Sequence, residues 1–138
     1  MKSRTASSQS VHDRVIRAVA AAQTEHDAHC NPGQDHNVSV TIDGQTVYPD
    51  LVLCTRGTMT VAHVVEVETA ESVTDTEAAQ WAVYARGPGQ FWLMVPSGQL
   101  ATAQAICRRK GIVAEFGRWW SGQQGIGFEW LDAVAATR

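Results

Sequence analysis

Three strand-like segments in the first half of the chain constrain its fold more than any other feature of the sequence. Apolar and polar residues alternate over residues 38–42 and stop at Asp43-Gly44, a dipeptide typical of a tight hairpin turn. A second segment spans residues 47–53, and a valine-rich third segment spans residues 61–68. Short turn-forming runs separate these segments, so the sequence predicts a three-stranded meander.

Helical periodicity is found on both sides of this meander. Before it, valines at helical spacing predict an amphipathic helix from about Ser10, closed by the breaker residues 31–33. The elements predicted after it are, in order, a helix over residues 74–86, a strand over residues 90–95, a helix over residues 97–110 and a strand over residues 112–116. The order αβββαβαβ predicts an α/β fold, with a central mixed sheet flanked by helices.

Length and composition fit one compact domain. The chain has 138 residues, of which 44% are hydrophobic and 18% are charged, and these values favour a globular protein over a disordered or fibrous one. We expect a flexible segment at residues 1–9 and a single domain at residues 10–138. Within that domain, the tail of residues 117–138 is rich in glycine and tryptophan and has no clear pattern beyond a terminal helix predicted over residues 128–136.

Charge and cysteine content limit the partners and the compartment of the protein. No apolar stretch is long enough for a membrane helix, and the polar amino end lacks the apolar segment of a secretory signal. Three widely separated cysteines argue against a disulfide framework. The sequence therefore predicts a cytoplasmic protein without a membrane partner, and its net charge of -3 means that any contact with nucleic acid must be local.

Three acidic residues stand out within the meander. Asp50 begins the second strand, and Glu66 and Glu68 lie two residues apart on the third strand. Since side chains alternate between the faces of a strand, both glutamates are expected on one face and the neighbouring valines on the other. A turn centred between residues 58 and 59 would pair Asp50 with Val67, which would gather the three carboxylates at one end of the hairpin.

A divalent metal ion is one explanation for this acidic cluster. Neighbouring carboxylates repel each other and are unfavourable when they lose water, and a cation relieves that conflict. Hard oxygen ligands select Mg²⁺ or Mn²⁺, and such an ion can activate water for displacement at phosphorus. The other explanation is an exposed edge strand that carries acidic residues on its solvent face. The carboxylates alone leave both interpretations open.

With this acidic hairpin inside an αβββαβ order, the chain resembles the PD-(D/E)xK nuclease superfamily, which has the restriction-endonuclease-like fold. Pro49-Asp50 corresponds to the PD element, and residues 66–68 occupy the position of (D/E)xK. Gln80 and Tyr84 match the QxxxY motif of the phage-exonuclease-type branch. The resemblance covers residues 10–116 and leaves the tail outside.

The resemblance implies a site, a cofactor and a reaction. The metal ligands that it implies are Asp50, Glu66 and the backbone carbonyl of Val67. The further catalytic residues that it implies are Glu68, Gln80 and Tyr84. The implied cofactor is Mg²⁺ or Mn²⁺, the implied partner is DNA, and the implied activity is hydrolysis of DNA phosphodiester bonds by an endo- or exodeoxyribonuclease.

One departure from the family pattern bears on activity. Where the motif usually has lysine, this sequence has Glu68, so the usual positive charge is missing. The alternative to an enzyme is therefore a catalytically inactive member of the same fold that acts as a binding or assembly module. A third alternative, a small structural subunit with an acidic edge, applies if the register of the hairpin differs from the expected one.

One basic run provides candidate contacts with nucleic acid. It lies at the end of the third predicted helix, and one more arginine follows nearby: the residues are Arg108, Arg109, Lys110 and Arg118. These charges would complement the acidic centre of the chain by contacting the DNA backbone. The alternative is a solvated helix end, where basic residues interact favourably with the negative end of the helix dipole.

Two further clusters have alternative explanations. His26, His29 and Cys30 share one face if the first helix continues through them, which would suit zinc, although no second ligand pair follows at comparable spacing. Trp119 and Trp120 in the tail are expected to be buried, either in the core or in a homodimer contact.

Overall fold

The computed structural model describes residues 4–131 and shows a mixed α/β protein. Within this range the helices and strands are α1 (Ala6–Ala21), β1 (His26–Cys30), β2 (Val40–Ile42), β3 (Gln45–Val47), β4 (Leu51–Thr55), β5 (Val61–Val67), α2 (Asp75–Ala85), β6 (Gln90–Pro96), α3 (Leu100–Lys110), β7 (Glu115–Gly122) and β8 (Gly125–Leu131). Short 3₁₀ turns at Ala70–Ser72 and Ser97–Gln99 precede α2 and α3. No helix in the described range combines the length and the apolar character needed to cross a membrane.

Six of the strands form one sheet, in the order β1-β4-β5-β6-β7-β8. The strands β5, β6 and β7 are parallel, because α2 and α3 carry the chain back between them. The pairs β1–β4, β4–β5 and β7–β8 are antiparallel. The strands β2 and β3 form a separate hairpin. The mixed sheet with flanking helices, predicted from the order of elements, is confirmed.

Hydrophobic side chains cover both faces of this sheet and form two cores. On one face, Val15, Ile16 and Val19 of α1 lie in one cluster with Val65 of β5. On the other face, side chains of α2, α3 and the β2–β3 hairpin cluster around Trp81, which is fully buried. Burial of one large apolar side chain contributes about 1.5–3 kcal/mol, so the two cores hold the helices firmly against the sheet.

The first helix and the segment after it differ from the prediction. α1 begins at Ala6, earlier than the predicted residue 10, and Thr5 caps it by accepting a hydrogen bond from Ser8 N at 3.1 Å. The helix ends at Ala21, and the residues expected to extend it form β1 instead, because they pair with β4. Since side chains alternate along a strand, His26 and His29 point to opposite faces, and the predicted shared face is wrong.

The predicted three-stranded meander is wrong, because its second strand is divided between two sheets. Residues 45–47 form β3, and they pair with β2 around Asp43-Gly44. Asp43 and Gly44 both have positive φ, 52° and 78°, so the predicted hairpin turn is confirmed. Proline cannot donate to a strand ladder, and the chain breaks at Pro49 before β4 joins the main sheet. This break places Asp50 directly before β4.

The tail forms the last hairpin of the main sheet. β7 begins at Glu115, so the strand predicted over residues 112–116 starts later and runs further. The helix predicted over residues 128–136 is wrong for residues 128–131, which belong to β8, and the rest of it lies outside the described residues. In β8, Ile126, Phe128 and Trp130 pack on the α1 side of the sheet, with the period of two that belongs to a strand.

Trp119 and Trp120 lie next to each other on β7, where neighbouring side chains face opposite sides of the sheet. Trp119 is buried in the core on the α1 side, so its predicted burial is confirmed. Trp120 is 45% exposed, so it is not buried in the core of the protein. A homodimer contact through the tail would therefore depend on Trp120, and it stays a prediction.

The register of the β4–β5 pair differs by one residue from the expected one. Leu51 lies opposite Val65, so Asp50 falls opposite Glu66 and not one residue further on. Cys54 lies opposite Val61, so the turn is centred between residues 57 and 58, one residue earlier than expected. A bulge between residues 53 and 54 then shifts the pairing by one residue, which places Asp50 opposite Glu66. Asp50 and Glu66 nevertheless lie at the same end of the hairpin.

Candidate active site

Asp50 and Glu66 meet where β4 begins and β5 ends. Asp50 N donates a hydrogen bond to Glu66 Oε1 at 2.9 Å, and Val67 N donates one to Asp50 Oδ2 at 2.8 Å. These two bonds run between the strands in opposite directions, so the backbone of each strand orients the carboxylate of the other. The structure therefore brings two of the three predicted acids into one constellation.

Both carboxylates belong to the wall of an open cleft of about 240 Å³. The cleft lies beyond the carboxyl end of β5, which is the side of an α/β sheet where ligands commonly bind. It is enclosed by the start of α1, the loop after β1, the segment before β4 and one side of α2. Its lining includes Arg4, His12, His36, Tyr48, Asp50, Glu66 and Gln80.

His12 of α1 connects this cleft to a further carboxylate. The ring is buried, and Nε2 lies 3.1 Å from Asp50 Oδ2 while Nδ1 lies 3.1 Å from Asp13 Oδ1. Burial by itself raises the pKa of Asp13, but hydrogen bonds from Gly33 N, His12 and Gln9 outweigh it and hold that pKa below its usual value. Asp13 is therefore ionised at neutral pH, and the His12 ring lies between its carboxylate and that of Asp50.

Glu68 lies behind the cleft and is not among the residues that line it. Its side chain is fully buried, where Oε1 accepts a hydrogen bond from Ser72 Oγ and Oε2 accepts one from Trp81 Nε1, both at 2.7 Å. Its backbone N donates to Met94 O, and its backbone carbonyl accepts from Trp119 Nε1, both at 2.9 Å. The acid at the lysine position of the family motif thus ties the end of β5 to α2, β6 and β7.

Gln80 and Tyr84 lie one turn apart on α2, as the spacing of the QxxxY pattern predicts. Gln80 Nε2 donates a hydrogen bond to Tyr84 Oη at 3.1 Å. Gln80 reaches the cleft, whereas Tyr84 is buried and stacks on Phe91, with the ring centroids 5.9 Å apart. Tyr84 therefore orients the Gln80 amide from behind the cleft wall.

Arg4 brings a positive charge to the cleft from the segment before α1. Its side chain is 5% exposed, and Nη2 lies 3.6 Å from Glu68 Oε1 and 3.4 Å from the carbonyl oxygen of Val67. Its Nε atom is buried and has no hydrogen-bond partner among residues 4–131. A buried donor without an acceptor is unfavourable, so this guanidinium is suited to a ligand that supplies one.

The predicted nucleic-acid contacts do not line this cleft. Arg108, Arg109 and Lys110 form the last turn of α3, and Arg118 lies on β7. Arg109 forms an ion pair with Asp75 at the start of α2, and Arg118 pairs with an acid on the neighbouring strand β8. The run at the end of α3 thus agrees with the alternative of a solvated helix end, and its contact with DNA stays a prediction.

In the described part of the chain, His12 and Arg4 line the cleft and contact the predicted acids, and neither residue was predicted from the sequence. His12 continues the buried stripe of Val15, Ile16 and Val19 along α1, and a polar residue on a buried helix face is itself a signal of function. Arg4 has no comparable signal, because it lies in a polar run and reaches the cleft only through tertiary packing.

The cleft offers the ligands that Mg²⁺ or Mn²⁺ prefers, without a complete cage of side chains. Asp50 and Glu66 line the cleft and supply carboxylate oxygens, which are hard donors. Val67, whose backbone carbonyl the family resemblance implies as a further ligand, is buried and is not among the described lining residues, and Arg4 Nη2 lies 3.4 Å from that carbonyl oxygen. Within residues 4–131, no group of three or more His, Cys, Asp and Glu side chains is arranged so that it could hold a metal ion. Mg²⁺ commonly takes one or two carboxylates and completes its shell with water and phosphate, so the donor set fits such an ion.

His63 lies away from this cleft, in a larger cavity of about 410 Å³ near the other end of α1. The cavity is also lined by His26, Trp92 and Trp130. His63 Nδ1 accepts a hydrogen bond from Trp92 Nε1 at 3.0 Å. Burial lowers the pKa of His63, and the neighbouring His26 lowers it further. The neutral ring is therefore the form that this environment favours.

The free energy of unfolding is expected to contain a pH-dependent contribution from His63. A lowered pKa in the folded state means that His63 stabilises the fold above its usual pKa of 6.5 and loses this contribution as the pH falls through the lowered value. Urea unfolding at about pH 7 and about pH 5 measures this loss. His63→Gln, whose amide oxygen can still accept from Trp92, is expected to lose less stability between the two conditions. Equal losses in both proteins would contradict the prediction.

Comparison with known proteins does not indicate a function for this chain. The chain matches no family model, no curated protein and no solved structure. The inference of function therefore depends on the residues described above, chiefly the pair Asp50 and Glu66 and the groups that contact them.

Proposed function

We propose that this protein is a nuclease-like hydrolase with a restriction-endonuclease-like fold, which uses Mg²⁺ or Mn²⁺ to cleave DNA phosphodiester bonds. The observation that carries this proposal is the joining of Asp50 and Glu66 across the β4–β5 hairpin, at the wall of an open cleft. Gln80 supports it, because the QxxxY resemblance expects this residue in the site and it lines the same cleft. Carboxylates accessible from a cleft are the ligands that metal-dependent phosphodiester hydrolysis requires.

The acidic residues and His12 would form the metal side of the cleft. Asp50, Glu66 and the carbonyl of Val67 would hold the ion, and the chemistry supplied there would be activation of a water molecule and neutralisation of phosphate charge. His12 lies between Asp50 and Asp13, so it would fix the orientation of the Asp50 carboxylate. In this arrangement Asp13 acts through His12 and not on the metal.

Gln80 and Arg4 would act on the water and the phosphate. The Gln80 amide, held by Tyr84, can orient an attacking water, although an amide cannot serve as its base. Arg4 would place its guanidinium near a phosphate oxygen and supply part of the positive charge that the family motif takes from lysine. Glu68 would be a positioning residue, since its buried hydrogen bonds anchor the end of β5.

A second candidate function is a binding module of the same fold that does not hydrolyse its ligand. The observation that favours it is the engagement of Glu68 with Ser72 and Trp81, which places a buried acid where the nuclease motif has lysine. Among the residues of the described range 4–131 that line the cleft, none is a lysine. Such a protein would use the cleft to bind nucleic acid or another protein.

Metal titration and DNA cleavage, measured together, separate the two candidates. We expect the purified chain to bind Mn²⁺ in a calorimetric titration and to convert supercoiled plasmid into nicked or linear DNA, with EDTA abolishing both signals. Metal binding without nicking would favour the non-hydrolysing module. If neither signal is observed, both the metal site and the reaction are wrong.

A further inference from the structure

Two stacked and exposed rings lie at the rim of the cleft. The ring centroids of His36 and Tyr48 are 3.8 Å apart, and the ring planes differ by 5°. Both residues are exposed, Tyr48 to 40%, and both line the cleft together with Asp50 and Glu66. The two rings are parallel, and a parallel stack of exposed rings can be extended by a third flat ring on an outer face.

Asn31 fixes the two chain segments that carry these rings. This residue is 4% exposed, and its Nδ2 donates to Val38 O at 2.8 Å and to Pro49 O at 2.7 Å. Its Oδ1 accepts from Asn37 N at 2.7 Å. The buried Asn31 amide thus joins Asn37, which follows His36, to Pro49, which follows Tyr48. The stack is therefore formed before a ligand arrives, which reduces the entropy lost on binding.

A buried cation belongs to the same cleft. Arg4 lines it with a side chain that is only 5% exposed, and Nε has no hydrogen-bond partner in the described part of the chain. A guanidinium in this state suits a phosphate oxygen. The cleft therefore combines flat aromatic faces, an arginine donor and two carboxylates, and these groups match the base, the phosphate and the metal of a metal-bound nucleotide.

We propose that His36 and Tyr48 form a stacking site for an unpaired nucleobase, which makes single-stranded or locally unpaired DNA the preferred ligand. The binding of the base does not depend on the function proposed above. Only the inference that the base lies next to the bond to be cut rests on that function. In a duplex both faces of a base are covered by its neighbours, so the site is filled only after a base leaves the stack. Every base has a flat face, so the site is expected to tolerate different sequences.

The test is fluorescence anisotropy with labelled oligothymidylate and with a DNA duplex of the same length, both in EDTA so that no DNA is cut. We expect the wild type to prefer the single strand and Tyr48→Ala to lose about tenfold in affinity for it. Tyr48→Phe keeps the ring and is expected to stay within about twofold of the wild type. Trp120→Ala, which removes an exposed aromatic residue outside the cleft, is the matched control and is expected to bind normally.

Two outcomes would overturn the stacking site. One is unchanged affinity of Tyr48→Ala for the single strand, and the other is an equal loss of affinity for the duplex. If Tyr48→Ala does not fold, photo-cross-linking of the wild type to an oligonucleotide containing 5-iodouracil decides the question. A cross-link to the peptide with His36 or Tyr48 supports the site, and cross-links only elsewhere, or none, overturn it.

The stacking site and the proposed reaction can fail separately. If the wild type does not cut DNA but Tyr48-dependent binding of the single strand is observed, the stacking site is supported and the reaction is wrong. If metal-dependent cutting is observed and Tyr48→Ala neither weakens binding of the single strand nor slows its cleavage, the stacking site is wrong and the reaction is supported.

Discussion

Replacing Asp50 by asparagine is expected to lower the rate of plasmid nicking by at least about a hundredfold, since even the outer partners of metal ligands cost about 10–100-fold when removed. Asparagine keeps a side-chain oxygen that can accept from Val67 N, but it removes the negative charge that attracts a divalent ion. Glu66→Gln likewise keeps a side-chain oxygen that can accept from Asp50 N and removes the negative charge. Both variants are expected to lose most of the heat of Mn²⁺ binding in calorimetry.

The matched control for these variants is Glu71→Gln. Glu71 is an exposed acid in the 3₁₀ turn Ala70–Ser72, and it does not line the cleft. This substitution changes the net charge by the same amount, so it is expected to leave nicking and Mn²⁺ binding close to those of the wild type. If Asp50→Asn and Glu66→Gln nick plasmid as fast as Glu71→Gln, the assigned metal site is wrong. Thermal unfolding of each variant shows whether the fold is kept.

Replacing Glu68 by alanine is expected to lower the free energy of unfolding by about 3–5 kcal/mol. The change removes the acceptor for Trp81 Nε1 and for Ser72 Oγ, both of which lie in buried residues. A buried donor left without an acceptor costs about 1–3 kcal/mol, and the shorter side chain leaves a cavity beside it. Arg4 would also lose the acid that lies 3.6 Å from its guanidinium.

Two further variants separate the parts of this effect. In Glu68→Gln, the amide oxygen can accept from Trp81 and the amide nitrogen can donate to Ser72 Oγ, so a loss of about 1 kcal/mol is expected. Glu71→Ala removes an exposed acid and is expected to change the free energy by no more than about 0.5 kcal/mol. Urea unfolding measures all three. A Glu68→Ala protein as stable as Glu71→Ala would contradict the assigned network.

Sequence patterns predicted well the elements in which local signals determine the structure. The predicted helix over residues 74–86 is observed as Asp75–Ala85, and Thr74 caps it by accepting a hydrogen bond from Glu77 N. The apolar strand predicted over residues 90–95 is observed as Gln90–Pro96, and it lies inside the sheet as expected. In both cases a cap or a breaker marks the ends of the element.

The predictions failed where a distant partner decides the structure. The segment of β1 contains two histidines, an aspartate and a cysteine, and it becomes a strand only because β4 offers an edge to pair with. The tail is a similar case, since β7 and β8 are strands because they extend the sheet beyond β6. No local pattern in these segments encodes the presence of that edge.

The candidate site shows the same division. Asp50, Glu66 and Gln80 were predicted from motif and alternation, and the structure places all three on one cleft. Alternation also predicted correctly that the valines next to the glutamates point into the opposite layer, which the structure shows to be the core under α1. Neither pattern indicated that His12 would contact Asp50 or that Glu68 would be buried behind the cleft.

The sequence by itself determined the periodicities, the turns and the spacing of the acidic residues, because these depend on backbone geometry within a few residues. Only the tertiary structure decided which acids face the cleft and which are buried, because a carboxylate's surroundings come from elements far away in the chain. His12 is 38 residues from Asp50, and Arg4 is 63 residues from Val67, yet both pairs are in contact. Desolvation and hydrogen bonding across such separations act only once the chain is packed.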